Sequence, residues 1–112
     1  MEKDKMASNF CQVWLTVGSK KEADKIANTL LVKHLVACVR QIPVSSDFWW
    51  QGKQEHSDEI LLQMESVIQL FDKIEQEVKK LHKYDTFVLE ATPVARISKN
   101  AEKWLKNELK NE

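Results

Sequence analysis

The chain has 112 residues, 43% hydrophobic and 30% charged, and its 17 basic and 17 acidic side chains cancel to a formal net charge of zero. That composition describes one ordinary folded domain rather than a disordered chain, and without a positive field the chain has no general attraction for nucleic acid or anionic lipid. Two glycines, Gly18 and Gly52, are too few for a phosphate-cradling loop or a dinucleotide fingerprint.

No apolar run approaches the roughly 20 residues of a membrane span, so membrane insertion is not expected. Two cysteines, Cys11 and Cys38, are too few for a disulfide framework and suit a reducing, cytoplasmic setting. Residues 1–9, "MEKDKMASN", carry charge and no apolar stretch, and are expected to be a disordered segment before a single domain over 10–109 and a polar tail at 110–112.

"FCQVWLTV" (Phe10 to Val17) is rich in β-branched and aromatic residues and predicts a strand ending at Gly18. Ser19 followed by Glu22 makes a capping-box pattern, after which Ala23, Ile26, Ala27, Leu30, Leu31 and His34 recur at helical spacing, predicting a helix over about 20–34. "LVACVRQIPV" predicts a second strand, in which Pro43 cannot donate to a ladder and so marks a bulge, bend or edge. The strand continues to Trp50, Gln51-Gly52-Lys53 turns the chain, and "EILLQM" (Glu59 to Met64) returns with Ile60, Leu62 and Met64 on one face.

Ser66 and Gln69 repeat the capping-box pattern ahead of an apolar stripe of Val67, Leu70, Phe71, Ile74, Val78 and Leu81, predicting a helix over about 67–82. "TFVLEATPV" (Thr86 to Val94) predicts a fourth strand, and Ala101, Trp104 and Leu105 a short terminal helix. The order β-α-β-β-α-β-α implies an α+β fold, the ferredoxin-like split β-α-β sandwich, with a long hairpin between the second and third strands. Both helices then pack on one sheet face. Strand one is apolar at both parities, so the opposite face needs a cover, which another copy of the chain would supply. Phe48, Trp49 and Trp50 at the hairpin tip fit the same reading, as anchors across a subunit interface.

At this point the residues resemble a known family. Ala37-Cys38, Ile42-Pro43, Ser46 and Trp49-Trp50-Gln51-Gly52-Lys53, followed by "DEILLQM", "HKYDT", "TPV" and "KWL", are similar to the CutA family of divalent-cation tolerance proteins over about residues 10–105. The resemblance implies a ferredoxin-like subunit in a tight homotrimer, a link to copper or other divalent metal ions, and no organic cofactor. It also implies clefts between subunits, with Trp50, Lys53, Glu59 and Tyr84 around each. The chain departs from the family in several places. Lys83 replaces the proline of His-Pro-Tyr, and Phe87-Val88 replaces Pro-Glu after Thr86. Glu65-Ser66 stands where Lys-Thr is usual, and Ile97 and Ala101 where Gly and Tyr are.

Cys38 matches the family cysteine and is a candidate soft ligand for copper, against the ordinary role of a buried thiol as a small hydrophobe. His82 matches the family histidine and is the second metal candidate, against a plain role at a helix C-terminus. In "EHSDE", His56 and Asp58 fall on the same side of an extended segment and form a weaker oxygen-and-nitrogen candidate, against a solvated stretch. No hydrolase motif is present, and the loop "GSKKE" lacks the arginine and glycines of a phosphate-holding acylphosphatase loop. The leading expectation is therefore a non-enzymatic trimeric metal-tolerance protein. The alternative is a small-molecule sensor or scaffold using clefts between subunits.

Overall fold

The computed structural model describes residues 9–110; the expected disordered segment, apart from Asn9, and the last two tail residues lie outside them. Alternation makes the first strand: β1 (Phe10–Val17) buries Cys11, Val13, Leu15 and Val17 while Gln12, Trp14 and Thr16 remain partly open. After Gly18 the chain enters α1 (Lys20–Val32). Ser19 Oγ accepts from the Glu22 N–H at 3.2 Å, as the capping pattern predicts. The Glu22 carboxylate reaches one residue beyond the cap and accepts from Gly18 N–H, also at 3.2 Å.

α1 ends before His34, not at it. His34 has φ 57°, and its N–H and that of Leu35 donate back to Leu31 O and Leu30 O at 3.0 Å. This is a Schellman closure with histidine in the left-handed position that glycine usually fills. The His34 Nδ1 lies 2.7 Å from Glu108 O, so the closure also anchors the chain's last helix.

β2 (Cys38–Trp50) and β3 (Lys53–Val67) form a hairpin of 13 paired positions with no slip in register. Gln51 and Gly52 turn it with φ 51° and 80°, the two positive values of a type I′ turn. Pro43 lies on β2, an edge strand of the sheet, where its missing N–H disturbs no interior ladder. β3 is longer at both ends than the predicted 59–64 segment. Its C-terminal extension follows from pairing with β1, which continues through Cys11↔Ser66 to Phe10↔Val67.

That pairing corrects the second capping pattern. Ser66 remains in the strand and donates its hydroxyl to Leu35 O at 2.7 Å. A 3-10 turn over Ile68–Leu70 then leads into α2 (Phe71–Leu81), and neither start has a side-chain cap. β4 (Leu89–Pro93) is shorter than predicted and α3 (Lys99–Glu108) closes the described chain.

The strands lie in the order β2-β3-β1-β4, every neighbour antiparallel, which is the predicted ferredoxin-like arrangement. Val13, Leu15, Leu62 and Met64 meet Ala23, Ile26 and Leu30 of α1 and Ile74 and Val78 of α2 in one core. Because β1 stops at Val17↔Ile60, residues 53–59 of β3 have no β1 partner, and the hairpin projects about 23 Å beyond the body. The molecule is accordingly elongated, 49 × 26 × 21 Å.

The register also assigns the second face. Cys38, Arg40, Ile42, Val44, Phe48 and Trp50 share it with Leu61, Gln63 and Glu65. Ile42, Phe48 and Trp50 are 42%, 40% and 47% exposed there, and Trp49, on the other side of the tip, is 70% exposed.

Candidate functional site

Where β1, α1 and the end of α2 meet, buried polar groups tie three segments together. The Glu22 side chain is 4% exposed and that of His82 fully buried. Glu22 Oε1 accepts from Gly18 N, and Oε2 accepts from Lys83 N at 2.9 Å and lies 3.4 Å from His82 Nδ1. Strand pairing with β4 stops at Leu15↔Leu89, and one residue further on His82 Nε2 lies 2.9 Å from Thr16 O. Tyr84 N–H donates to His82 Nδ1 at 3.1 Å. The tautomer with its proton on Nε2 satisfies both contacts: it donates to the carbonyl and accepts from the amide.

The ring is also sandwiched, stacked on Phe87 (centroids 5.1 Å, 20°) and tilted against Tyr84 (5.1 Å, 45°). A Cβ on Gly18 would come within 3.1 Å of the Tyr84 hydroxyl, so glycine at 18 lets that ring close over the strand end. Two of the departures from the family pattern enter here: Lys83 through its backbone alone, and Phe87 as the stacking partner.

Beside this knot lies a cleft of about 360 Å³, lined by Gly18, Ser19 and Lys20 on one side and Pro43, Val44, Ser45, Asp58, Glu59 and Ile60 on the other. It forms because β1 ends while the hairpin continues. Of the expected cleft residues, Glu59 lines it and Tyr84 borders it through Gly18. Trp50 and Lys53 face each other across the hairpin turn, six ladder positions and about 20 Å from Glu59. Within one chain the four residues therefore form two separate pairs.

The two metal candidates are also apart. Cys38 starts β2 opposite Glu65, whose β1 neighbour is Gln12, four residues or about 13 Å from the Thr16 that His82 holds. Cys38 is half-buried and free. Its neighbour Glu65, the charge reversal noted above, is paired with Arg40 at 2.8 Å and accepts from Gln63 at 3.0 Å. Val88 is 61% exposed, while Ile97 packs against the core.

In "EHSDE", His56 Nδ1 lies 2.7 Å from Asp47 and Nε2 3.5 Å from Asp58 on the exposed hairpin. The hydrogen bond to Asp47, then its charge and that of Asp58, hold the His56 pKa above its ordinary value. The two carboxylates sit at opposite edges of the ring and do not converge on one point. Among the described residues, no group of three or more histidine, cysteine or acidic side chains is placed to hold a metal ion.

Glu22 is the site residue that sequence reading missed. Its position three after Ser19 signals a local cap, and nothing local signals its bond to Lys83, 61 residues on.

A family model described as CutA1 divalent ion tolerance protein matches residues 11–108. A divalent-cation tolerance protein CutA of Archaeoglobus fulgidus is 37% identical over 93 residues, 83% of this chain and 91% of its own. A solved structure of a periplasmic divalent cation tolerance protein CutA from that organism superposes with a TM-score of 0.88 at 34% identity, covering 90% of this chain and 99% of that one. The crystal structure of CutA1 from Oryza sativa gives 0.89 at 30% identity, covering 93% and 96%. The core, the projecting hairpin and the sequence match from Cys11 to Glu108 thus agree, and the chain belongs to the CutA1 divalent ion tolerance family.

Proposed function

We propose that the protein is a non-enzymatic homotrimer that binds copper or another divalent cation in the response to metal ions. The observation that carries the assembly is the second sheet face with its hairpin, where Ile42, Phe48 and Trp50 stand 40–47% exposed on one side. A neighbouring copy seated there buries them, and the hairpin is long enough to bring Trp50 and Lys53 of one copy beside Glu59 and Tyr84 of another. The metal reading is supported by the family's name and by the chemistry of Cys38, a free thiol on that face, since thiolates favour soft ions and copper leads the divalent affinity series.

With no three-ligand group in one described chain, the ion is held between copies, where symmetry repeats each ligand. His82, both ring nitrogens already engaged, contributes here by holding the cleft wall rather than as a free donor. Cys38→Ser tests the metal reading: copper uptake per chain falls while assembly is kept. Unchanged uptake would contradict it.

A second reading, a small-molecule sensor with clefts between subunits, is favoured by the cleft beside Gly18. A cytoplasmic setting is part of the proposal, carried by the two free thiols, Cys11 and Cys38. The Archaeoglobus structure is described as periplasmic and a rice relative as chloroplastic. No helix among the described residues is long and apolar enough to cross a membrane.

A further inference from the structure

The two ring nitrogens of His82 are not equally committed. Nε2 lies 2.9 Å from Thr16 O, and because a carbonyl only accepts, this nitrogen keeps its proton whatever the charge of the ring. Nδ1 faces two groups with opposite demands. The Tyr84 N–H, 3.1 Å away, needs an acceptor, whereas the Glu22 carboxylate, with Oε2 3.4 Å away, needs a donor. A neutral ring serves the amide and sets a lone pair against the carboxylate. A charged ring serves the carboxylate and turns an N–H against the amide.

Water does not soften this choice, since the Glu22 side chain is 4% exposed and that of His82 fully buried. Among the described residues, the titratable groups that meet the ring are Glu22 from α1 and Tyr84 from the segment after α2. β1 presents only the Thr16 carbonyl, α2 ends on His82 itself with its N–H on Val78 O, and Phe87 presents an apolar ring.

The two partners differ in how firmly they are held. The Glu22 carboxylate is fixed by Gly18 N–H on one oxygen and Lys83 N–H on the other. Tyr84 is 44% exposed and lies in residues 83–88, which form neither helix nor strand. Its ring reaches Gly18 at the cleft edge, where an added Cβ would meet the hydroxyl at 3.1 Å. Losing the bond at its amide therefore loosens the side chain that closes over that edge.

We infer that His82 is a proton-operated latch: the neutral ring holds Tyr84 over the cleft edge at Gly18, and the charged ring donates from Nδ1 to Glu22 and releases Tyr84. The proton comes from solvent and stays on the imidazole. The cleft edge accordingly opens as pH falls and closes as it rises. The latch is complete within one chain and makes no use of the ion assigned to Cys38.

The chain has one tyrosine and three histidines, so ¹⁵N-tyrosine labelling gives a single amide signal and ring labelling identifies His82 by its loss in His82→Asn. Titration from about pH 8 to about pH 5 spans the range in which histidines commonly change charge. The ring should carry its proton on Nε2 alone at the upper end. As it takes up the second, the Tyr84 amide signal should move with the same midpoint, and its hydrogen exchange, corrected for the intrinsic rate at each pH, should quicken about tenfold or more. Asn at 82 still offers an acceptor to the amide two residues on but takes up no proton, so there the Tyr84 signal should stop responding. Glu22→Gln should move both transitions together to lower pH, by about one unit. A Tyr84 amide that stays still while the His82 ring titrates overturns the inference, as does a ring that stays neutral until the chain unfolds, or a Tyr84 signal that keeps its wild-type midpoint in His82→Asn. Should either variant fail to fold, the wild-type titration decides alone.

Discussion

Glu22→Ala tests the knot of segments behind the cleft. The carboxylate accepts from Gly18 N and Lys83 N and is almost fully buried. Truncation leaves two amides without an acceptor, at about 1–3 kcal/mol each, less the relief of removing a buried charge. The net expectation is a loss of about 2–4 kcal/mol, which for a domain of this size lowers Tm by about 8–16 °C. Thermal unfolding by circular dichroism, at one fixed protein concentration because assembly shifts apparent stability, reads the loss. Glu22→Gln keeps one acceptor oxygen and should fall between the two. A Glu22→Ala protein within about 0.5 kcal/mol of wild type, the range of an ordinary surface change, would refute the claim that this carboxylate ties β1 to the segment after α2.

Three further outcomes are expected. Trp50→Ala should weaken assembly by about 2–3 kcal/mol per copy, since the 47% of the ring left open is about 100 Å² of apolar surface; sedimentation across a dilution series measures it, and an unchanged profile would limit Trp50 to its own chain. Asp47→Asn should lower the His56 pKa in an NMR titration, because the Asp47 hydrogen bond is the main cause of its elevation. As that pKa is raised by folding, the contact's contribution is complete below about pH 6.5 and is lost as pH rises through the folded value, so the variant should lose its effect at alkaline pH. Burial, aided by the charge of Glu65, pushes the Cys11 thiol up to about 11. At pH 8 about one molecule in a thousand then carries its thiolate, so native alkylation should spare Cys11, and stability should fall as pH rises from about 9 towards 11.

The comparison of the two serines explains what the sequence made legible. Ser19 and Ser66 present the same capping pattern, and only Ser19 caps, because Ser66 is held opposite Cys11 in a strand pair that local pattern does not reveal. β1, α1, the hairpin turn and the split β-α-β order were readable because each is written in nearest-neighbour chemistry: alternation, a cap with helical spacing, a glycine at positive φ. β4 was read three residues too early at its start, since Thr86 to Val88 look like strand but follow a histidine that has taken over the bond at Thr16 O.

The candidate site was legible as a set of residue types and not as a place. Glu59 and Tyr84 border one end of the hairpin, Trp50 and Lys53 close the other, and the distance between them depends on a hairpin seven residues longer than β1 can pair. The Glu65 departure, which reads as a reversed charge, is answered by Arg40, its diagonal neighbour on the adjacent strand β2 and 25 residues away in sequence.

Native mass spectrometry of the purified chain, with a slight excess of copper and with zinc as control, tests the central claim most directly. The account predicts a species of three times the 13.1 kDa chain that takes up about one copper per subunit and less zinc. A trimer that ignores both ions would contradict the metal reading and favour the cleft as the functional site. A monomer would contradict the assembly on which the account of the exposed sheet face and the Trp49-Trp50 hairpin stands.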